Sequence, residues 1–135
     1  MIAKVEKYVV TQEGGFIRVV DSRRVTAKHV REVCQSIPAL ARRFSIDKIL
    51  IDQRDAPNSL SSVERFRYAN DFATHFKGLK IACIQDYPLR DPTHFGEAVA
   101  VKQGADLKIF STLEEAYDWL EVAPASRNHS NEQRP

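Results

Sequence analysis

Long apolar runs are missing from this chain. No window approaches the roughly 18 consecutive apolar residues that a membrane-spanning helix requires, so no span is expected. Residues 1 to 20 lack the uninterrupted apolar stretch of a secretory signal, because Glu6, Glu13 and Gly14-Gly15 break it. Cysteine is scarce: Cys34 and Cys83 each lie inside an apolar pattern and read as buried small hydrophobes, with no disulfide expected. A soluble, cytoplasmic protein is the resulting expectation. A dominant charge is absent too, since 20 basic and 18 acidic residues leave a net +2, interspersed along the chain. That excludes the clustered Lys and Arg of a nucleic-acid footprint. There is no Gly-x-Ser-x-Gly elbow, and Gly14-Gly15 is not followed by the Gly-Lys-Ser/Thr of a phosphate loop. No two of His29, His75, His94 and His129 have metal-ligand spacing. The expectation is a non-enzyme without metal or cofactor.

What is present is ordinary globular material, 135 residues with 43% hydrophobic and 28% charged content, the size of one domain. Residues 4 to 10 and 16 to 20 are rich in β-branched and aromatic residues around the turn signal Gln12-Glu13-Gly14-Gly15, which predicts a hairpin. Thr26 then caps a helix whose Val30, Val33, Cys34, Ile37, Leu40, Ala41 and Phe44 form one apolar stripe. Pro38 interrupts it and predicts a kink or two short helices. Ile49 to Ile51 is a strand covered on both faces. Ser61 and Glu64 have capping-box spacing ahead of a second helix with Val63, Phe66, Ala69, Ala73 and Phe76 inward, and Gly78 stops it. Leu79 to Ile84 is the next strand. Asp91-Pro92 opens a third helix that contains Gly96 and ends at Gly104. Leu107 to Phe110 is a short strand, and Ser111 with Glu114 caps a last helix carrying Leu113, Ala116, Trp119 and Leu120. The order predicts an α/β domain over residues 1–121, with about four helices and a mixed, mostly parallel sheet whose antiparallel edge comes from the hairpin. Residues 122–135 lose the apolar periodicity and read as a disordered tail.

The strand over residues 49–51 organises the candidate site. Open α/β sheets place ligands beyond the carboxyl ends of their strands, which here carry Asp52 and Arg54, and then Asp86, Tyr87, Arg90 and His94. Arg54, Arg90 and Tyr87 suit an anionic ligand, or they neutralise the aspartates beside them. Asp52, Asp55, Asp86 and Asp91 approach the same rim, but Asp91 is accounted for as a cap and Asp55 by the turn before Pro57, so no metal site is expected. Ser59, Ser61 and Ser62 stand at a helix N-terminus, where an added phosphate would meet backbone donors; Ser61 is equally explained as the cap itself.

The run from His94 to Leu120, with Ala98, Val99, Gly104, the strand to Phe110, Leu113-Glu-Glu-Ala and Trp119-Leu120, resembles the end of the SpoIIAA-like proteins, which are related to the STAS domains and grouped with CRAL-TRIO-like folds. The resemblance implies a small non-enzymatic module that binds a protein partner, or a carrier of a small apolar or anionic ligand. It also implies a phosphorylated serine at the start of the helix after the central strand. The matching Asp55-Ala-Pro-Asn-Ser59-Leu-Ser61-Ser62 keeps the serines and lacks the family's Ser-Gly-Leu. Homodimerisation through the edge strands fits the same picture.

Overall fold

Gly14, at φ +39°, and Gly15 form the two-residue turn that folds the first long strand onto the second, pairing Glu13 with Phe16. The computed structural model of the protein describes residues 3–5, 8–57, 61–85, 104 and 106–122, excepting the side chains of residues 3–5, 62, 65, 66 and 69. Its elements are β1 (Ala3–Val5), β2 (Tyr8–Glu13), β3 (Phe16–Asp21), α1 (Ala27–Arg43), β4 (Lys48–Asp52), α2 (Ser62–His75), β5 (Lys80–Ile84), β6 (Asp106–Phe110) and α3 (Leu113–Leu120). The expected first hairpin strand is thus two strands. The third expected helix, with Gly96, and the tail beyond Val122 lie outside the described residues.

The six strands form one sheet in chain order, β1 to β6. β1, β2 and β3 pair antiparallel, and β3, β4, β5 and β6 pair parallel. This is an α/β protein with a mixed sheet. Because side chains alternate across a strand, β4 sends Ile49 and Ile51 to one face and Leu50 to the other. Ile49 and Ile51 join Val10, Ile17, Val19, Ile81 and Cys83 beneath α1, which contributes Val33, Ile37 and Ala41, and Phe76, which caps the end of α2. Leu50 joins Phe16, Ala82 and Ile84 beneath α3, which contributes Ala116, Tyr117 and Leu120. Each fully buried aliphatic side chain is worth roughly 1.5–3 kcal/mol of transfer free energy. Right-handed crossovers that always advance in the same direction leave their helices on one face, and α1 and α2 share one.

Helix starts follow the sequence. The Thr26 side chain accepts from the His29 amide at 3.1 Å. Ser61 and Glu64 form a full capping box, Ser61 Oγ accepting from the Glu64 amide at 3.2 Å and Glu64 Oε1 from the Ser61 amide at 2.9 Å. Gly78, at φ +84°, ends the turn after α2. Three details differ. Pro38 does not divide α1, which runs unbroken over 17 residues with Pro38 buried on its core face; burial of Val30, Val33, Cys34, Ile37 and Ala41 outweighs the missing hydrogen bond, while Phe44 at the end of the expected stripe is 36% exposed. Val63 is 66% exposed because α2 begins at Ser62, so its first turn overhangs the core. The cap of α3 is Thr112, whose Oγ1 accepts from the Glu115 amide at 3.3 Å, because Thr112 and Glu115 offer the capping pattern one residue later than Ser111 and Glu114.

Candidate functional site

β3, β4, β5 and β6 end at one edge of the sheet, and polar residues begin where their apolar runs stop. Asp52, the last residue of β4, is 6% exposed, and pleat alternation turns its side chain to the face that carries α3. Arg54 folds back over it: Nε donates to Oδ1 at 3.0 Å, Nη2 to Oδ2 at 2.7 Å, and the Arg54 amide to Oδ1 at 3.2 Å. Gln53 turns to the other face. Its amide donates to the Ile84 carbonyl at 2.9 Å, and its Oε1 accepts from Gln85 Nε2 at 3.1 Å. The Ala56 amide closes the following turn onto the Gln53 carbonyl at 3.1 Å, with Pro57 exposed beyond it.

The same arrangement recurs one strand away. Asp21 ends β3 and is 1% exposed. Arg23 Nε reaches Oδ1 at 2.9 Å, Arg23 Nη2 reaches Oδ2 at 3.1 Å, and the Arg23 amide donates to Oδ1 at 3.2 Å. Asp21-Ser-Arg23 and Asp52-Gln-Arg54 are therefore two copies of one clasp, aimed at opposite faces of the sheet. The first is the more elaborate. His29 Nε2 lies 2.6 Å from Asp21 Oδ2 across the gap to α1, Arg23 also meets Glu32 at 3.2 Å, and its guanidinium stacks 3.9 Å from the Tyr8 ring centroid. Burial pushes the Asp21 carboxyl up, but the His29 and Arg23 hydrogen bonds outweigh it, so the net shift is below the ordinary carboxylate value. Burial raises the Tyr8 hydroxyl, against the opposing effects of a Ser36 hydrogen bond and the Arg23 charge. A carboxylate only accepts, so His29 donates from Nε2; its Nδ1 is buried without a hydrogen-bond partner.

Of the predicted site residues, Asp52 and Arg54 are brought together, in each other's grip. Ser61 is the α2 cap. Ser62 opens the helix, with its side chain outside the described residues, and Ser59, Asp86, Tyr87, Arg90 and His94 lie outside them as well. Among the described residues no three His, Cys, Asp or Glu side chains gather as metal ligands, and both oxygens of Asp52 are held by Arg54. Asp21, Arg23 and His29 went unrecognised in the sequence. The available signal was the repetition of Asp-x-Arg directly after two apolar strands.

One topological fact bears on what this edge can hold. A ligand crevice in an open α/β sheet forms where the strand order reverses and successive connections part to opposite faces. From β3 to β6 the order never reverses.

No family model, curated protein or solved structure matches the chain.

The edge must therefore be read from its own residues. Asp52–Arg54, Gln53–Gln85 and Asp21–His29–Arg23 are polar sets in which each carboxylate is held by its neighbours, with hydrophobic residues immediately beneath. Such sets fix the shape and charge of a surface. No helix among the described residues is long and apolar enough to cross a membrane. Cys34 and Cys83 are buried and free, and burial pushes the Cys34 thiol up to about 12, far from the thiolate that a nucleophile requires.

Proposed function

We propose that this chain is a non-catalytic, STAS-like module of the SpoIIAA-like kind that acts by binding a protein partner through the loop over residues 52–62, described at 52–57 and 61–62, and the rim over residues 86–94, which lies outside the described residues. The observation that carries this reading is the unreversed order of β3 to β6, which gives the described part of the carboxyl edge no switch point of the kind where small ligands enter. Support comes also from the loop's make-up. Arg54 is held on Asp52 while its side chain stays 38% exposed, Pro57 is exposed, and Val63 in the first turn of the following helix is 66% exposed. Pre-ordered charged and apolar groups of this kind lose little entropy on binding.

The alternative, a carrier of a small apolar or anionic ligand, would draw room from a kink at Pro38 and from the missing side chain of Gly96, which lies outside the described residues. Pro38 instead sits buried in an unbroken helix, and Val33, Ile37, Ala41 and Phe76 around it are at most 4% exposed.

Native mass spectrometry of protein purified from its own host, with the same spectrum taken under denaturing conditions, separates the two. A small mass lost on denaturation sinks the interaction reading in favour of the carrier. A protein partner that co-purifies with the wild type but is lost from Val63→Asp and Arg54→Glu supports the 52–62 surface, and undiminished recovery with both variants removes it.

A further inference from the structure

The solvent side of α1 carries a stripe that neither the core nor the carboxyl edge uses. Lys28, Arg31, Gln35, Ala39 and Arg42 recur at steps of three and four, all are exposed, and they line the helix for about 21 Å at 1.5 Å per residue. The stripe contains no acid. The one carboxylate on α1, Glu32, is matched by Arg23 at 3.2 Å, whereas Lys28, Arg31 and Arg42 pair with no acidic group among the described residues. Arg43, exposed beside Arg42, extends the positive field to the end of the helix.

α3 is the opposite case. Glu114, Glu115 and Asp118 on the helix and Glu121 at its cap are exposed, and it carries no basic residue. Glu114 and Asp118 stand four apart, a like-charge spacing that costs an isolated helix a few tenths of a kcal/mol. α1 packs on one face of the sheet and α3 on the other. The two fields are separated by the full thickness of the sheet and cannot neutralise each other within one molecule, given a Debye length of about 8 Å at physiological salt.

We propose that copies of this chain associate face to back, the basic stripe of α1 in one copy lying against the acidic α3 of the next. The chain itself supplies both complementary surfaces. Its net charge of +2 sets up little overall repulsion between copies. The contact is heterologous, so it builds rings or open-ended assemblies instead of closed two-fold pairs. It is electrostatic, so salt dissolves it.

Sedimentation velocity of the full chain over a range of concentrations, at about 0.02 M and about 0.5 M salt, where the Debye length falls from roughly 20 Å to 4 Å, tests this. The expected result is a weight-average mass that climbs with concentration at low salt and returns to the 15.4 kDa monomer at high salt. Arg31→Glu/Arg42→Glu and Asp118→Lys/Glu121→Lys alter only exposed side chains, and each is expected to weaken self-association at least about tenfold when alone. Mixing the two reversed variants restores association, because each then faces its opposite. A wild type that stays at 15.4 kDa at low salt overturns the assignment, as does association that survives both reversals or ignores salt. Wild-type monomers whose basic stripe retains heparin or anionic vesicles, with loss in Arg31→Glu/Arg42→Glu, would overturn it in favour of a polyanion.

Discussion

Asp21 Oδ2 and His29 Nε2 stand 2.6 Å apart, and that contact ties the end of β3 to the first turn of α1. Both residues are buried, Asp21 at 1% and His29 at 7% exposure, so the bond is shielded from water at the point where the antiparallel hairpin gives way to the parallel half of the sheet. Arg23 completes the set from the loop between them.

The Asp21 carboxyl titrates below its ordinary value in the folded chain, so it contributes stability that is present above the unfolded value of 3.8 and is lost as pH falls through the lower folded value. Asp21→Asn removes that dependence and takes from Arg23 and His29 the buried carboxylate they share, leaving Arg23 only Glu32 as an acidic partner. The expected cost at neutral pH is roughly 3 kcal/mol, together with a shallower acid limb. Urea unfolding between pH 7 and pH 2 checks both; an acid limb equal to the wild type's would mean that Asp21 is not the titrating group.

Pro38→Ala should stabilise the protein. A proline inside a helix is about 3 kcal/mol less favourable than alanine, and α1 gains an amide to bond the Cys34 carbonyl. Against this stand two lost ring methylenes, about 0.8 kcal/mol each, and a freer unfolded chain, worth about 0.4–1 kcal/mol. The net expectation is about 0.5–1 kcal/mol of added stability, read from the urea midpoint. A loss instead would show that the buried ring is worth more than the missing bond.

Ser61→Ala breaks the capping box and should cost about 1 kcal/mol, while Ser61→Asp, which keeps an acceptor for the Glu64 amide, should cost much less. Val63→Asp in the same exposed turn should be neutral or slightly stabilising, because an acid in the first turn meets the positive end of the helix. Thermal melts of the three variants rank them; a large loss in Val63→Asp would mean that the side chain is covered.

Cys34, its thiol pushed up to about 12, and Cys83 beside the same core should both be silent to a thiol reagent in the native state at pH 8 and both react in denaturant. Counting released chromophore in each condition gives the answer. One fast native thiol would place a cysteine at the surface.

Most of the architecture was legible in the sequence because its signals are local. Thr26 and Ser61 announce helix starts by their own side chains, Gly14-Gly15 sets the hairpin, and the Ile49 to Ile51 run shows a strand covered twice. Thr112 was missed by one residue because Ser111-Thr112 and Glu114-Glu115 offer the same cap in two registers, and only tertiary docking of α3 chooses between them. Val63 was misread because helical spacing shows which way a side chain points and not where the core beneath it ends. The Asp21 set is a different kind of miss. Asp21, Arg23 and His29 lie at a strand end, in a loop and on a helix, and their convergence exists only once α1 folds back over β3. For Arg54 the sequence leaves two readings, a clamp for an anionic ligand or a partner for a nearby aspartate, and the structure shows the second, with Asp52 two residues away.

The unreversed strand order has a further consequence, for the way the chain comes into being. Every strand from β2 onward is laid down beside the one made before it, so on a ribosome each new segment finds its docking edge already emerged and waiting. No early strand must stay unpaired until the last residues arrive. Such an order keeps loop closures short and limits the time that exposed strand edges are open to wrong neighbours. The growing sheet is at every stage a smaller version of the finished one.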